Sequence, residues 1–316
     1  MDFRPVRLVL LCIVVTLVSV LAMSTLGFAQ FPAQDPGEAC SRAHVKKSAQ
    51  VKQYLFLSYK DEEKGMACIQ ILRDRKVIFR RTNENGGWFE IGQPADKDNG
   101  ARMIPNGTDI TGRGHPNMIV SAGTGGAHCC LLHYVFELEP EFKLLATIDG
   151  RDDDMAHFAD LANDGRYYYV GADWTFAYWP GSFASSPSEA ITLQFSDDKN
   201  GGGFHLALDK MYSLPPTARE WEHHLQEVNA ALKEDALQSE ELARPLWGTV
   251  LDLIYTGHSD LAWEFVKEVN PKAKQGSNPT LADFCSILKT SPYWRDLEPT
   301  IKDLPLECAN AKPGRE

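Results

Sequence analysis

The hydrophobic pattern of this chain changes its period near Leu214, and this change separates two regions that favour different secondary structure. From about residue 50 to 210, apolar residues come in short runs separated by clusters of glycine, asparagine and aspartate. Short runs bounded by such residues are typical of β-strands. After Leu214, apolar residues recur at i, i+3 and i+4, as in amphipathic helices. The sequence therefore predicts an α+β chain with an all-β region first and a helical module second.

The apolar runs predict a series of short strands connected by tight turns. The predicted strands are 51–59, 67–72, 77–81, 88–91, 118–122, 130–138, 142–148, 167–170, 176–178, 191–195 and 204–208. Many short strands at this spacing indicate either a β-sandwich or a propeller-like stack of sheets. Both architectures stay open at this point.

The helical signals after Leu214 are equally regular. Thr217 is a suitable N-cap for a helix over 219–233, and Pro245 stands in the first turn of a helix over 246–255. Two further helices are predicted over 259–269 and 280–288, followed by an irregular segment at 292–298. We therefore predict a β-rich domain at 30–214 and a helical module at 215–316.

The first 29 residues have the pattern of a secretory signal peptide. Arg4 and Arg7 precede an apolar run, and small residues at Gly27 and Ala29 fit a signal-peptidase site, so we expect cleavage before Gln30. The predicted location is secreted or periplasmic. The alternative is an uncleaved anchor, since about 20 apolar residues can span a bilayer; only in that case is a membrane partner expected.

The charge balance excludes one class of partner. The chain has 32 basic and 43 acidic residues, a formal net charge of −11. A net negative chain without a basic patch repels phosphate backbones, so no nucleic-acid partner is expected.

The predicted mature chain keeps an even number of cysteines, which in an exported protein indicates disulfides. They are Cys40, Cys68, Cys129, Cys130, Cys285 and Cys308. Pairing within regions gives Cys40–Cys68 and Cys285–Cys308, and leaves a vicinal Cys129–Cys130 bond. In the alternative pairing, one of these adjacent cysteines bonds to Cys68 and the other stays a buried thiol.

Two acidic, glycine-containing turns occur 51 residues apart, at 109–117 and 160–168, and each precedes a predicted strand. They resemble the D-x-[DN]-G-D-G-x-x-D turns of FG-GAP (VCBS-type) repeats, which form integrin-like β-propellers. In that family, oxygen ligands at positions 1, 3, 5 and 9 hold Ca²⁺. The resemblance implies a propeller-like β region with Ca²⁺ as its cofactor. The candidate metal ligands are Asp109, Thr111, Asn117, Asp160 and Asp164.

Both turns depart from the family pattern. Arg113 stands at position 5 of the first turn, and Ala162 and Tyr168 stand at positions 3 and 9 of the second. The alternative is that each aspartate caps backbone N–H groups while glycine takes a positive φ.

A glycine-rich stretch, 123–130, carries the most unusual chemistry. His128, Cys129 and Cys130, together with His133, include the residue types that bind Cu or Zn, and a Cys–His nucleophile is also conceivable. In an oxidising compartment, a glycine turn followed by disulfide-bonded cysteines is the simpler interpretation.

A second candidate ligand site follows at 173–179. Asp173, Trp174, Phe176 and Tyr178, with His128, are the candidate ligand-binding residues. If 176–178 is a strand, the three aromatic rings share one face and could stack on a sugar or a partner protein; otherwise they belong to the core.

We therefore expect a non-catalytic exported binding protein with an unknown protein or glycan partner. The alternative is an exported hydrolase or metal-dependent enzyme centred on 123–130. The first interpretation is favoured because no nucleophile, base and orienting acid occur together at a recognisable spacing.

Overall fold

The computed structural model describes residues 40–41, 44–98, 100–126, 129–197, 202–233, 243–269 and 280–314. These residues form an α+β fold, as predicted, with three four-stranded antiparallel sheets followed by helices. Each sheet uses strands that are consecutive in the chain. Within this described part there is no closed barrel and no closed propeller.

The first sheet is a meander of four strands in chain order. The strands are β1 (Val45–Val51), β2 (Tyr54–Asp61), β3 (Met66–Arg73) and β4 (Lys76–Asn83). The predicted strands 67–72 and 77–81 correspond to β3 and β4, which form an antiparallel hairpin. Asp74 and Arg75 there have φ values of 51° and 64°, as a tight two-residue hairpin turn requires.

The second and third sheets repeat this consecutive order. The second sheet contains β5 (Trp88–Ile91), β6 (Asn117–Gly126), β7 (Cys129–Glu137) and β8 (Lys143–Arg151). The third sheet contains β9 (His157–Ala159), β10 (Tyr168–Asp173), β11 (Glu189–Ser196) and β12 (Gly203–Leu206).

The second sheet lies between two hydrophobic cores because its side chains alternate between its faces. On one face, Phe89, Val120 and Phe136 pack with residues of the first sheet, including Phe56. On the other face, Val135 belongs to a larger core with the third sheet and the helices. This second face carries the candidate site.

The helical region follows the third sheet. It contains α1 (Leu208–Met211), α2 (Ala218–Lys233), a π-helical turn (Ala243–Gly248) leading into α3 (Thr249–Tyr255), α4 (Ser259–Val269), α5 (Leu281–Leu288), α6 (Trp294–Leu297) and α7 (Leu306–Asn310). Thr217 caps α2 as predicted, in a reciprocal capping box with Glu220. Thr280 and Asp283 form the same arrangement at α5.

Two predicted disulfides are confirmed. Cys40 is bonded to Cys68, and Cys285 is bonded to Cys308, which connects α5 to α7. Cys130 is also disulfide-bonded, and the vicinal Cys129–Cys130 bond stays a prediction because the side chain of Cys129 is outside the described part of the chain.

Three predicted segments were wrong. The strand at 51–59 is interrupted by a turn at Lys52 and Gln53, which joins β1 to β2. The segment at 176–178 is a turn. Asp173 Oδ1 accepts a hydrogen bond from the N–H of Thr175, and the strand ends at Asp173. The segment at 292–298 contains α6, where sequence patterning predicts irregular structure.

The predicted signal peptide, its cleavage site before Gln30 and His128 lie outside the described residues. Among the helices of the described ranges, none has the length and apolar character needed to cross a membrane.

Candidate functional site

A cleft of about 930 Å³ lies at the glycine-rich end of β6, between the second sheet and segments that flank the third. One wall is a single face of β5, β6 and β7. Its side chains belong to Trp88, Glu90, Ser121, Leu131 and His133. Because strand residues alternate, the residues between them are buried on the opposite face, against the first sheet.

The opposite wall comes from the segment between β8 and β9 and from the turns after β10. Trp174 and Phe183 stack there, with ring centroids 4.9 Å apart and planes 14° apart. An Nη1 hydrogen of Arg151 is donated to the carbonyl oxygen of Trp174 at 3.2 Å, which connects the end of β8 to this turn. Trp174 Nε1 is buried and has no hydrogen-bond partner in the described residues.

The glycines of β6 let other parts of the chain approach the strand closely. A Cβ at Gly123 would lie 2.3 Å from Trp88 Nε1, so the indole occupies the space of a side chain there. Gly125 has a φ of 84°, and a Cβ there would lie 2.1 Å from the carbonyl oxygen of Asn85. Position 125 therefore requires glycine through its backbone geometry, and glycine at 123 gives the Trp88 indole its place.

His133 is the most deeply buried titratable side chain that lines the cleft, with only 4% of its surface exposed. Its Nδ1 lies 3.0 Å from Ser121 Oγ, whereas its Nε2 has no hydrogen-bond partner in the described chain. The rings of Phe158 and Tyr169 meet the imidazole edge to face. Burial, with a smaller contribution from His157, lowers the pKa of His133 to about 4, so the imidazole is neutral at pH 7.

Two further buried polar atoms belong to Asp153 and to Tyr169, whose ring contacts His133. Asp153 Oδ2 and the hydroxyl of Tyr169 have no hydrogen-bond partner among the described residues. Gly171 leaves room for both side chains, since a Cβ there would lie 2.9 Å from Asp153 Oδ2 and 2.9 Å from Tyr169 Cε1. Burial raises the pKa of Asp153 and that of Tyr169, because it disfavours both charged forms.

The lining of the cleft is acidic. The described residues of the lining include four carboxylates and one guanidinium, besides two histidines; these are Glu90, Asp96, Asp152, Asp154, Arg151, His133 and His157. Glu90 is paired with Lys47 at the edge of the first sheet. The cleft therefore combines aromatic rings, neutral buried donors or acceptors and a negative rim.

Asp173, a predicted ligand-binding residue, is instead a buried connection between the third sheet and the helices. Its Oδ2 accepts hydrogen bonds from the hydroxyls of Tyr255 (2.5 Å) and Ser291 (2.7 Å). Its Oδ1 accepts from the N–H and the hydroxyl of Thr175. The carboxylate is thus fully used by protein groups.

The three aromatic residues after Asp173 do not share one face, contrary to the strand prediction. Phe176 is buried in the core, where it stacks on Phe284. Tyr178 is 57% exposed and has a φ of 61°, whereas Trp174 lines the cleft. The turn that begins at Asp173 is the physical reason, because strand alternation ends there.

The first acidic turn uses its oxygens as acceptors for backbone amides. Asp109 accepts from the N–H groups of Gly112 (2.8 Å) and Gly114 (2.7 Å). Asn117 Oδ1 accepts from the N–H groups of Ile110 and Thr111.

The second acidic turn has the same arrangement. Asp160 accepts from the N–H groups of Asp164 (3.0 Å) and Gly165 (2.8 Å), and Asp164 is ion-paired with Arg166 at 2.6 Å. Within the described residues, no group of three or more His, Cys, Asp or Glu side chains is placed to hold a metal ion. Ca²⁺ binding by these turns stays a prediction.

Cys130 lines the cleft, but a disulfide-bonded sulfur has no thiolate. In this oxidised form Cys130 cannot act as the nucleophile that the sequence made conceivable.

Sequence reasoning missed most of the cleft, including Trp88, Arg151 and His157. These residues come from separate strands and loops. The one sequence signal for this wall is that Trp88 and Glu90 alternate with buried Phe89 along a strand.

No protein-family model matches the chain, and no curated protein and no solved structure matches it either.

Proposed function

We propose that this chain is a non-catalytic binding protein and that the cleft beside His133 is its ligand site. The observation that carries the proposal is the combination of a concave cleft with the buried lining side chain of His133, whose Nε2 has no hydrogen-bond partner among the described residues. A buried polar atom without a hydrogen bond costs about 1–3 kcal/mol, and a bound ligand is one way to recover that cost. The volume is also within the range of small-molecule sites.

We also propose that the protein works outside the cytoplasm, as a secreted or periplasmic protein cleaved before Gln30. The two disulfides are compatible with this location. Mass spectrometry of the protein recovered from its native host tests it, because we expect the mature chain to begin at Gln30. A chain that retains Met1–Ala29 would contradict cleavage.

The β region is best interpreted as three copies of one four-strand unit that pack in chain order, as successive propeller blades do. The two acidic turns support this interpretation, because each joins the first and second strands of its sheet. In each turn the first aspartate accepts from the N–H of the glycine five residues later. An experimental structure in which the three sheets do not pack in chain order would overturn it.

Ligand retention tests the binding function. Asp154 is exposed at the cleft, so Asp154→Trp should block the cleft without disturbing the core. Glu63→Trp is the matched control, since it removes an exposed carboxylate in a turn of the first sheet. Each protein is incubated with a small-molecule extract of the host, washed and analysed by mass spectrometry.

We expect the wild type and Glu63→Trp to retain the same compounds and Asp154→Trp to lose them. Equal retention by all three proteins, or retention by none, would contradict a binding function for the cleft.

A further inference from the structure

We infer that the ligand of the cleft is a neutral, hydroxyl-rich compound, specifically an oligosaccharide. This inference rests on the proposed binding function and names the ligand class for the same site. Three properties of the lining lead to it: its charge, the kind of hydrogen-bonding atoms it contains and its exposed aromatic surface.

The charge of the lining disfavours anions. Asp96 and Asp154 are exposed at the cleft, and Arg151 is the one guanidinium among the described lining residues. The chain as a whole has a formal net charge of −11. Phosphorylated compounds, acidic sugars and nucleotides would meet repulsion here.

The hydrogen-bonding atoms disfavour a simple cation. Trp174 Nε1 can only donate a hydrogen bond, so a ligand that pairs with it supplies an acceptor, which an ammonium group lacks. The carboxylate of Asp154 can only accept when ionised, so a ligand that pairs with it supplies a donor. A hydroxyl group does both. Neutral His133 meets either role, since the proton can reside on either ring nitrogen.

The aromatic rings suit the apolar faces of sugar rings. Trp88 is 39% exposed and lies over Gly123, and Trp174 is stacked on Phe183 at the opposite wall. Rings with an apolar face and a polar edge match a ligand whose ring faces carry C–H groups and whose edges carry hydroxyls. The cleft, at about 930 Å³, is near the upper end of small-molecule sites, which favours several linked rings.

Neighbouring atoms cover both His133 Nε2 and Trp174 Nε1 in the structure. A ligand therefore reaches these atoms only if the side chains around them move. Binding should consequently change the tryptophan fluorescence of the wild type, and the part of that change that Trp174→Phe removes comes from this wall.

The test uses isothermal titration calorimetry with a panel of defined probes. The neutral probes are maltotetraose, cellotetraose, mannotetraose, xylotetraose and chitotetraose. The charged and non-sugar probes are the cationic glucosamine tetramer, tetragalacturonate, spermidine and an end-blocked alanine tetrapeptide. Comparison of chitotetraose with the glucosamine tetramer separates the effect of charge from that of the sugar ring.

Trp174→Phe keeps an aromatic ring and removes the N–H donor, so it should weaken sugar binding about tenfold. Trp221→Phe makes the same change in the helical region, where Nε1 donates to Glu268, and should leave sugar binding unchanged. Melting curves of both variants confirm that each is folded.

Binding of at least one neutral oligosaccharide with a Kd below about 1 mM, weakened by Trp174→Phe alone, is the expected result. Failure of every neutral oligosaccharide overturns the sugar inference. If a charged probe or the peptide then binds and Asp154→Trp abolishes that binding, the binding function stands without a sugar ligand. The binding function itself fails only in the retention experiment.

Discussion

Asp173 illustrates how a single carboxylate can connect a sheet to helices. Thr175 follows it in the chain, whereas Tyr255 and Ser291 come from the helical region 82 and 118 residues away. In sequence, Asp173 precedes an aromatic stretch and therefore resembles a ligand-binding residue. The structure instead gives its oxygens to protein hydroxyls, and only the tertiary fold could show this.

Replacement of Asp173 should destabilise the whole fold. Asp173→Ala leaves the buried hydroxyl of Tyr255 without its acceptor, and we expect the free energy of unfolding to fall by about 3 kcal/mol. Urea denaturation monitored by circular dichroism measures the change. The control is Asp74→Asn, at an exposed hairpin turn, and it should change the free energy of unfolding by less than about 0.5 kcal/mol. Asparagine is used there because alanine disfavours the positive φ of this position. Similar small losses in both variants would contradict a structural role for Asp173.

His133 should make the protein less stable in acid. Its pKa is about 4 in the folded chain and 6.5 when unperturbed, so between these pH values the unfolded chain binds a proton that folded His133 does not. As the pH falls from 7 to 4, the His133 contribution should therefore lower the free energy of unfolding by about 3 kcal/mol.

His133→Gln removes this titration and keeps a polar side chain beside Ser121. As the pH falls from 7 to 4, the free energy of unfolding of the wild type should therefore decrease by about 3 kcal/mol more than that of His133→Gln. Urea denaturation of both proteins at pH 7, 5.5 and 4 measures this difference. His223→Gln, on the exposed face of α2, is the control. A difference that does not change with pH would contradict a depressed pKa at His133.

At the scale of elements, the sequence predicted most strands and helices because their local signals agree with their surroundings. Residues 88–91, bounded by a glycine turn, form β5, and Thr280 caps α5 through Asp283. β1 was missed as a separate strand because its side chains are mostly exposed and polar, as on the edge of a sheet. β9 has three residues and too little sequence to show a period.

The candidate site was less predictable than the elements. The glycine-rich stretch and Trp174 mark parts of the cleft, since both are unusual in sequence. The pairing of Trp88 with Gly123, and the burial of His133, depend on how the sheets pack. Strand alternation predicts that Trp88 and His133 lie on the same face of their sheet. No local sequence pattern predicts which face lines a cleft and which is covered by the core.

The acidic turns allow a prediction about Ca²⁺. If Asp160 and Asp164 bind Ca²⁺ weakly, 5 mM CaCl₂ should raise the melting temperature by about 2 °C relative to EDTA. Asp160→Asn should abolish the rise, and MgCl₂ at the same concentration controls for ionic strength. Identical melting temperatures in EDTA and CaCl₂ would show that the turns are stabilised by their amide hydrogen bonds alone.

At the scale of the molecule, one hydrophobic core serves both the third sheet and the helices. Phe158, Tyr169 and Ile191 of the sheet share this core with Trp247 and Phe284 of the helical region. The period of the hydrophobic pattern changes near Leu214, but the same hydrophobic core includes residues on both sides of that position.

The shared core predicts the outcome of truncation. A fragment that ends at Leu214 would expose the helix-facing side of the third sheet, so we expect it to aggregate or to lack a cooperative thermal transition. Size-exclusion chromatography and calorimetry of the fragment, beside the chain from Gln30 to Glu316, provide the measurement. A monomeric fragment with a cooperative transition would show instead that 30–214 is an independent domain.

The contact between Trp88 and Gly123 also constrains how this chain can evolve. Because the indole occupies the position of a Cβ, a side chain at 123 collides with it unless the Trp88 ring moves. A smaller residue at 88 removes this collision, and it also removes one aromatic wall of the cleft. If the cleft is the ligand site, we therefore expect substitutions at this pair to occur at 88 before 123 and the intermediate to bind the ligand more weakly.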